Sequence, residues 1–493
     1  MSAAQFPERH IFTPIVIVGS GFAGIGTAIR LQQKGFNDFL ILEQANNFGG
    51  TWRDNTYPGA ECDVPSHLYS FSFEPNPHWS KAFAPQKEIQ KYLLHCAQKH
   101  KLASKTLFNA EVVNASFNET KGEWTVTLAD GCTVRCRLLI MGNGGLSKPS
   151  YPVIEGQQSF QGKIMHTARW HESFDYAGKK VAVIGTGASA IQFVPIVAKQ
   201  AKQLTLFQRS APYVIPKPDR TYSSIEQQIY AKLPMLQTLS RAAMYSNHEI
   251  RALAFTSLQI AMKPFEWQFK RHLHKTVKDP VLRAKLTPDY PLGCKRILIS
   301  NHYYQALAQK NVEVETDNIA EVTQTGIKTK DGKEYPVDAI IYGTGFQATD
   351  FLAPMKITGR DGIDLNEAWR DGAEAYLGMT VHGFPNMFML YGPNTNLGHN
   401  SILYMLESQF AYILDALQQM RRQQWQAVEV KAQTQSVYNQ WVQEQLSNTI
   451  WAAGCHSWYK TESGKNTNNW VGFTLLYRYK TQHFNAQDYL TQS

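Results

Sequence analysis

Cysteine is scarce: the 493 residues hold Cys62, Cys96, Cys132, Cys136, Cys294 and Cys455, with no C-x-x-C pair among them. That spacing suggests neither a zinc site nor a disulfide framework, and free thiols are expected. No apolar run approaches the roughly 18 residues needed to cross a bilayer. Met1 to His10 is polar, so neither a secretory signal nor a spanning segment is expected, and the protein is placed in the cytoplasm. Low-complexity tracts are missing too, and 43% hydrophobic with 18% charged residues is the composition of an ordinary globular protein. The length suggests two to four domains. A net charge of +9 raises the question of nucleic acid or an anionic surface. Its densest run, Lys270-Arg-His-Leu-His-Lys275 with Lys278, has no interleaved aromatics, reads more simply as a solvated helix face, and leaves no nucleic-acid partner expected.

What is present is organised around Ile15-Val-Ile-Val-Gly19-Ser-Gly21-Phe-Ala-Gly24. Four β-branched residues make a strand too apolar to face water, and the glycine turn opens a helix predicted over Ile25 to Lys34. Gly19 permits the reversal, Gly21 lets the backbone approach a pyrophosphate, and Gly24 lets the helix pack close to the strand. The phosphates then meet unpaired N–H groups at the helix N-terminus. A second apolar strand, Phe39 to Leu42, ends in Glu43, about 20 residues past the glycines, where a carboxylate can bind a ribose hydroxyl. Strand, turn, helix, strand and acid together make a dinucleotide site.

After Glu43, Gly49-Gly50-Thr51-Trp52-Arg53-Asp54 and Tyr57-Pro58-Gly59-Ala60-Glu61-Cys62-Asp63 form an irregular loop of the kind that touches ligands. Glu111 to Phe117, Glu123 to Leu128 and, after the Asp130-Gly131 turn, Val134 to Met141 read as a small sheet. Gly142 to Pro152 makes a boundary. A second fingerprint follows, Val181-Ala-Val-Ile-Gly185-Thr-Gly187-Ala-Ser-Ala190, with a helix over Ile191 to Gln200. Its second strand, Leu204 to Gln208, ends in Arg209-Ser210. A guanidinium there pairs with a ribose 2′-phosphate, which favours NADPH over NADH.

Tyr222 to about Pro288 has helical spacing and reads as an insertion. Asp338 to Phe346 is a buried strand running into a glycine turn, suited to closing a nucleotide-binding sheet. Ser401 to Gln424 is a long helix, and the aromatic tail Trp451 to Tyr479 ends in a strand-like run, Tyr477-Arg-Tyr-Lys480. The fold class is therefore α/β, with two Rossmann-like dinucleotide-binding domains, the second inserted in the first, and a helical insertion. The expected divisions are 1–145 with 337–493, 150–214 with 291–336, and 215–290 for the insertion.

Phe160-Gln-Gly162-Lys-Ile-Met-His166-Thr-Ala-Arg-Trp170 resembles the F-x-G-x-x-x-H-x-x-x-W signature of the type I Baeyer-Villiger monooxygenases, within the flavin-containing monooxygenase superfamily. The signature's last position, normally Pro or Asp, is His171 here. Gly49 to Trp52, Tyr57 to Asp63, Arg209, Lys295-Arg296, the Gly343 turn, Gly383 to Asn386 and Gly392 to Asn394 extend the likeness over nearly the whole chain. Without the family, Phe160 to Trp170 reads as a packed linker with His166 a satisfied histidine. With it, the stretch becomes a linker that moves with the domains.

The resemblance implies FAD held by Gly19, Gly21, Gly24 and Glu43 in the first domain, and NADPH held by Gly185, Gly187, Arg209 and Lys295 in the second. Further cofactor contacts are expected from Phe22, Ala23, Gly50, Thr51, Trp52, Asp54, Asp63, Tyr69 and Val112, and from Thr186, Ala188, Ser189, Ala190 and Ser210. It implies hydride transfer from NADPH to flavin, then insertion of one atom of dioxygen beside a ketone carbonyl, through a flavin peroxide, to give an ester or lactone. Arg296 matches the family's active-site arginine, whose permanent charge suits a deprotonated peroxide, and Asp63 the carboxylate that positions it. A second phosphate ligand is the alternative role for Arg296. The runner-up activity is N- or S-oxygenation of amines or sulfides by the same peroxide. A disulfide reductase would need a redox cysteine pair where Cys62 stands alone, a single-component aromatic hydroxylase lacks the second nucleotide domain, and a non-catalytic flavin sensor would not oxidise NADPH. No metal is expected.

Overall fold

The computed structural model describes residues 10–493 other than 348, 353, 453 and 455–458. Met1 to Arg9 and Cys455, on which expectations fell, lie outside the described residues.

Ile15–Val18 is buried along its whole length, which a strand achieves only in a parallel sheet covered on both faces. It is the middle strand of five, in the order Met387–Met389, Leu138–Met141, Ile15–Val18, Phe39–Glu43 and Thr106–Phe108, all parallel. The Phe22–Gln33 helix begins directly after the glycine turn, three residues earlier than predicted. It packs on the long Ile402–Gln423 helix, so closely that a Cβ at Gly26 would lie 2.6 Å from the Phe410 ring.

The second fingerprint repeats the plan. Lys180–Ile184 is the middle strand of a parallel sheet ordered Val312–Glu315, Gln203–Phe207, Lys180–Ile184, Ala339–Tyr342 and Lys163–His166. Ala339–Tyr342 thus belongs to the second sheet, although the division at 337 placed it with the first. Its four buried residues fill the gap between two strands of that sheet, and the chain returns to the first sheet only afterwards. The two crossings between the sheets run side by side: Ser150 N–H donates to the Gly345 carbonyl at 2.9 Å and Gln347 N–H to the Lys148 carbonyl at 3.0 Å.

Two further expectations change. The Val134 to Met141 run is two strands, not one: Thr133–Cys136 pairs antiparallel with Glu123–Leu128, and Leu138–Met141 joins the first parallel sheet. Exposed Arg137 marks the crossing. The tail's Tyr477 to Lys480 lies in a helix, Thr474–Lys480, because Thr474 and Tyr477, three apart, bury one face while Tyr477 Oη donates to the Leu377 carbonyl at 2.7 Å. The insertion is helical, with Ser224–Lys232, Pro234–Ile250, Ala252–Phe255, Lys263–Thr276 and Pro280–Lys285. Cys62, Cys96 and Cys136 are free thiols. Cys294 is disulfide-bonded, which the cysteine spacing did not suggest.

Candidate active site

Each glycine turn is pressed against a second glycine at the end of the neighbouring strand. A Cβ on Gly19 (φ +93°) would stand 2.8 Å from the Gly142 carbonyl oxygen, and one on Gly185 (φ +108°) 2.5 Å from that of Gly343. Gly24 is tighter still: its Cβ would sit 1.9 Å from the Gly19 carbonyl oxygen, so no other residue lets the helix start there. Gly50 (φ +53°) faces Gly21, with a Cβ there 3.1 Å from Gly21 Cα. The turn and the Gly49–Gly50 bend, which opens a short helix, Thr51–Asp54, where only irregular loop was expected, thereby form one backbone-lined cradle at a helix N-terminus, the geometry that receives a pyrophosphate.

Glu43 closes the first cradle. Its carboxylate is buried and accepts from Ser20 N–H (2.9 Å), Ser20 Oγ (2.6 Å) and Ala45 N–H (2.9 Å), and it pairs with Arg53 at 2.9 Å. Asp54 holds Arg53 from the other side through two bonds of 2.7 and 2.9 Å. Trp52 Nε1 donates to Tyr69 Oη at 3.1 Å, and Tyr69 stands edge-on to Phe22 at 5.2 Å. Glu43, Thr51, Trp52, Asp54 and Tyr69 are therefore neighbours. Val112 lies beside the end of the Glu43 strand, where Ala110 N–H donates to the Glu43 carbonyl at 2.9 Å. Its side chain, like that of Ala23, is in the core, so only backbone is offered to a cofactor at these positions.

The second cradle is open. Gly187 and Ala188 are exposed, Ser189 is half-buried, and the helix starts at Ala190. Thr186 Oγ1 donates to the Ser210 carbonyl at 3.2 Å, and Lys295 Nζ donates to Ser210 Oγ at 3.0 Å while lying 4.3 Å above the Tyr290 ring. Burial, then the charge of Arg209, lower the Lys295 pKa. Arg209 itself is exposed and has no hydrogen-bond or ion-pair partner among the described residues. Two cations beside a glycine turn, one of them unpaired among the described residues, are the groups whose charge and geometry suit a doubly charged phosphate.

Asp63 and Arg296 join the two halves across 233 positions. Arg296 donates through Nε (2.8 Å) and Nη2 (2.6 Å) to one oxygen, Asp63 Oδ2. The carboxylate raises the guanidinium pKa above its ordinary value against the effect of burial, so the group is a fixed cation. Gln192, in the helix after the second turn, reinforces the junction by accepting from Tyr57 Oη (2.9 Å) and donating to the Glu61 carbonyl (3.0 Å). Two tyrosines that the sequence reading missed, Tyr391 and Tyr459, feel the Arg296 charge. Tyr391 Oη donates to Asn396 at 2.8 Å, and burial pushes Tyr459 up to about 12. The signal for Tyr391 was the Gly392-Pro-Asn394 turn that follows it, and for Tyr459 the aromatic tail that contains it.

His166 ends the Lys163–His166 strand and is fully buried, with Nδ1 accepting from Ala168 N–H at 3.0 Å. Burial lowers its pKa to about 4, so at neutral pH it is an uncharged packing group. Trp170 packs against Phe193 at 5.6 Å, tying the signature to the second helix.

A family model described as pyridine nucleotide-disulphide oxidoreductase matches residues 16–283. The chain is 48% identical over 491 residues to a Baeyer-Villiger monooxygenase of Pseudomonas aeruginosa, covering 99% of this chain and 93% of that protein. It is 42% identical over 488 residues to a Baeyer-Villiger monooxygenase of Streptomyces coelicolor, covering 99% and 94%. Among solved structures, a steroid monooxygenase bound to NADP superposes with a TM-score of 0.87 at 30% identity, over 98% of this chain and all of that one. Cyclohexanone monooxygenase superposes with a TM-score of 0.88 at 26% identity, over 98% and 100%. The chain therefore belongs to the pyridine nucleotide-disulphide oxidoreductase family and, within it, to the Baeyer-Villiger monooxygenases.

Proposed function

We propose that this protein is an NADPH-dependent flavoprotein monooxygenase that inserts one oxygen atom of dioxygen beside a ketone carbonyl, giving an ester or lactone. FAD rests in the cradle of Gly19, Gly21, Gly24 and Gly50, with Glu43 toward its ribose and Thr51, Trp52, Asp54 and Tyr69 around it. NADPH rests on the Gly185–Ala190 turn, its 2′-phosphate between Arg209 and Lys295. The flavin, once bound, supplies the electron store and the centre that activates dioxygen.

The chain's own contribution is charge and orientation. Arg296 keeps its proton at every working pH, so it offers a permanent positive charge to an oxyanion. Asp63 fixes the direction of that charge, because both donating nitrogens are aimed at one carboxylate oxygen. The observation that carries the reading is this ion pair, standing where a loop of the first half meets a loop of the second. The site's location is the cytoplasm, and its substrate an apolar ketone among the aromatics of the tail.

The test is turnover of the purified yellow protein with NADPH, offering phenylacetone and thioanisole side by side. Ester formation is expected. Sulfoxide alone would move the assignment to heteroatom oxygenation, and a protein without flavin would remove it.

A further inference from the structure

Pro234–Ile250, the longest helix of the insertion, turns several of its polar side chains into the protein. Gln237 donates to the Asn76 carbonyl at 2.7 Å, and Arg241 donates to the carbonyls of His67 and Ser70, each at 2.7 Å. Glu249 accepts from Asn400 (2.7 Å), Thr474 (2.8 Å) and Leu475 N–H (3.0 Å). At about 100° per residue, Gln237, Arg241 and His248 share one face, while Leu236, Leu239, Ala243 and Ile250 share the opposite one. That second face looks outward, with Leu236, Leu239 and Ile250 exposed by 41, 59 and 65%. Ile225 and Ile229, one turn apart on the adjoining Ser224–Lys232 helix, are exposed as well. Exposed apolar side chains gathered on one side of a helix in this way mark something that covers them.

The charge of the insertion as a whole points to the cover. Between residues 224 and 278 there are eight Lys and Arg against three Asp and Glu, so this segment carries +5 of the chain's +9; one of the three acids is the buried Glu249. On the Lys263–Thr276 helix, Trp267 is 61% exposed, Lys263, Lys270 and Arg271 flank it at helical spacing, and the Arg271 guanidinium lies 5.2 Å from its ring. Exposed apolar side chains in a basic segment that also exposes a Trp form the pattern of a surface lying in a membrane interface, whereas two copies of so basic a segment would repel each other.

We infer that the helical insertion seats this protein on a lipid surface bearing anionic headgroups, with the Leu236–Leu239–Ile250 stripe in the interface. The seat is peripheral: no helix among the described residues is long and apolar enough to cross a membrane. The same insertion walls the candidate site. Gly293, two residues before Lys295, packs so close to it that a Cβ there would lie 2.8 Å from Met262 and 3.5 Å from Phe255. The seat does not depend on which reaction the site performs.

The experiment is co-sedimentation of the flavin-loaded full chain with vesicles of phosphatidylcholine alone and of phosphatidylcholine mixed with phosphatidylglycerol, at low and high salt. Binding to the anionic vesicles at low salt, and release by salt, are expected. Leu236→Ser/Leu239→Ser/Ile250→Ser is expected to lower the bound fraction by about tenfold while keeping flavin content and NADPH oxidation in solution. Lys263→Glu/Arg271→Glu, entirely at exposed positions, is expected to do the same and serves if the triple variant does not fold. Wild type left in the supernatant with anionic vesicles, equal binding by both variants, or a wild-type dimer that the triple variant converts to monomer would each overturn the inference.

Discussion

Arg209→Ala isolates the cation on which the choice of nicotinamide cofactor rests. Arg209 is exposed and unpaired among the described residues, so nothing in the fold depends on it and the variant is expected to fold normally. A charge-assisted bond to phosphate is worth about 1.5–3 kcal/mol, and solvent exposure puts this one at the lower end. Lys295 remains anchored on Ser210 at 3.0 Å, so binding is weakened rather than abolished. A loss of about 1.5–2 kcal/mol corresponds to a rise of about ten- to thirtyfold in KM for NADPH. NADH has no 2′-phosphate, and its KM is expected to change less than about twofold. Arg209→Lys keeps the charge but not the two-pronged geometry and should fall between the two. The assay is initial-rate NADPH and NADH oxidation at fixed salt, because screening would shrink the difference. An unchanged ratio of the two KM values would refute the 2′-phosphate role.

Arg296→Ala is expected to leave flavin reduction by NADPH within a few-fold of wild type, as followed by stopped-flow absorbance, and to abolish ester formation. Surviving ester product would assign the group to phosphate binding instead. Stability is expected to fall on acidification. Buried His67 and His166 both titrate near 4 in the folded chain, with burial the main cause, against about 6.5 unfolded. The unfolded chain therefore binds more protons between these values. Stability is full above pH 6.5 and drains as pH drops toward 4, by on the order of 3 kcal/mol per residue. Thermal melts at pH 7 and pH 5 check this, and His166→Gln should flatten the slope; a melting temperature independent of pH would contradict it.

The glycine turns were legible because their requirement is local: backbone crowding at Gly19, Gly24 and Gly185 admits no side chain whatever the rest of the chain does. The pairing of Asp63 with Arg296 was not local, and only the family likeness brought those positions together. The Val134–Met141 run misled because both of its sheets bury apolar residues. The alternation through Val134, Arg135, Cys136 and Arg137 does give way to continuous burial at Leu138–Met141, and that change of period was the available sign of a strand leaving a one-sided sheet for a two-sided one. The tail helix was hidden by aromatic residues, which favour strands intrinsically but here pack at helical spacing.

The paired crossings at Ser150–Gly345 and Lys148–Gln347 give the second nucleotide-binding half a single narrow stem, with its incoming and outgoing ends hydrogen-bonded to each other. A piece with adjacent ends can be lifted out or exchanged without leaving a gap to bridge. The coenzyme preference of this enzyme is thus graftable through one pair of adjacent joints, at about Ser150 and Gly345, provided the incoming block keeps Arg296 and Gln192 to meet Asp63 and Tyr57 of the flavin-binding body.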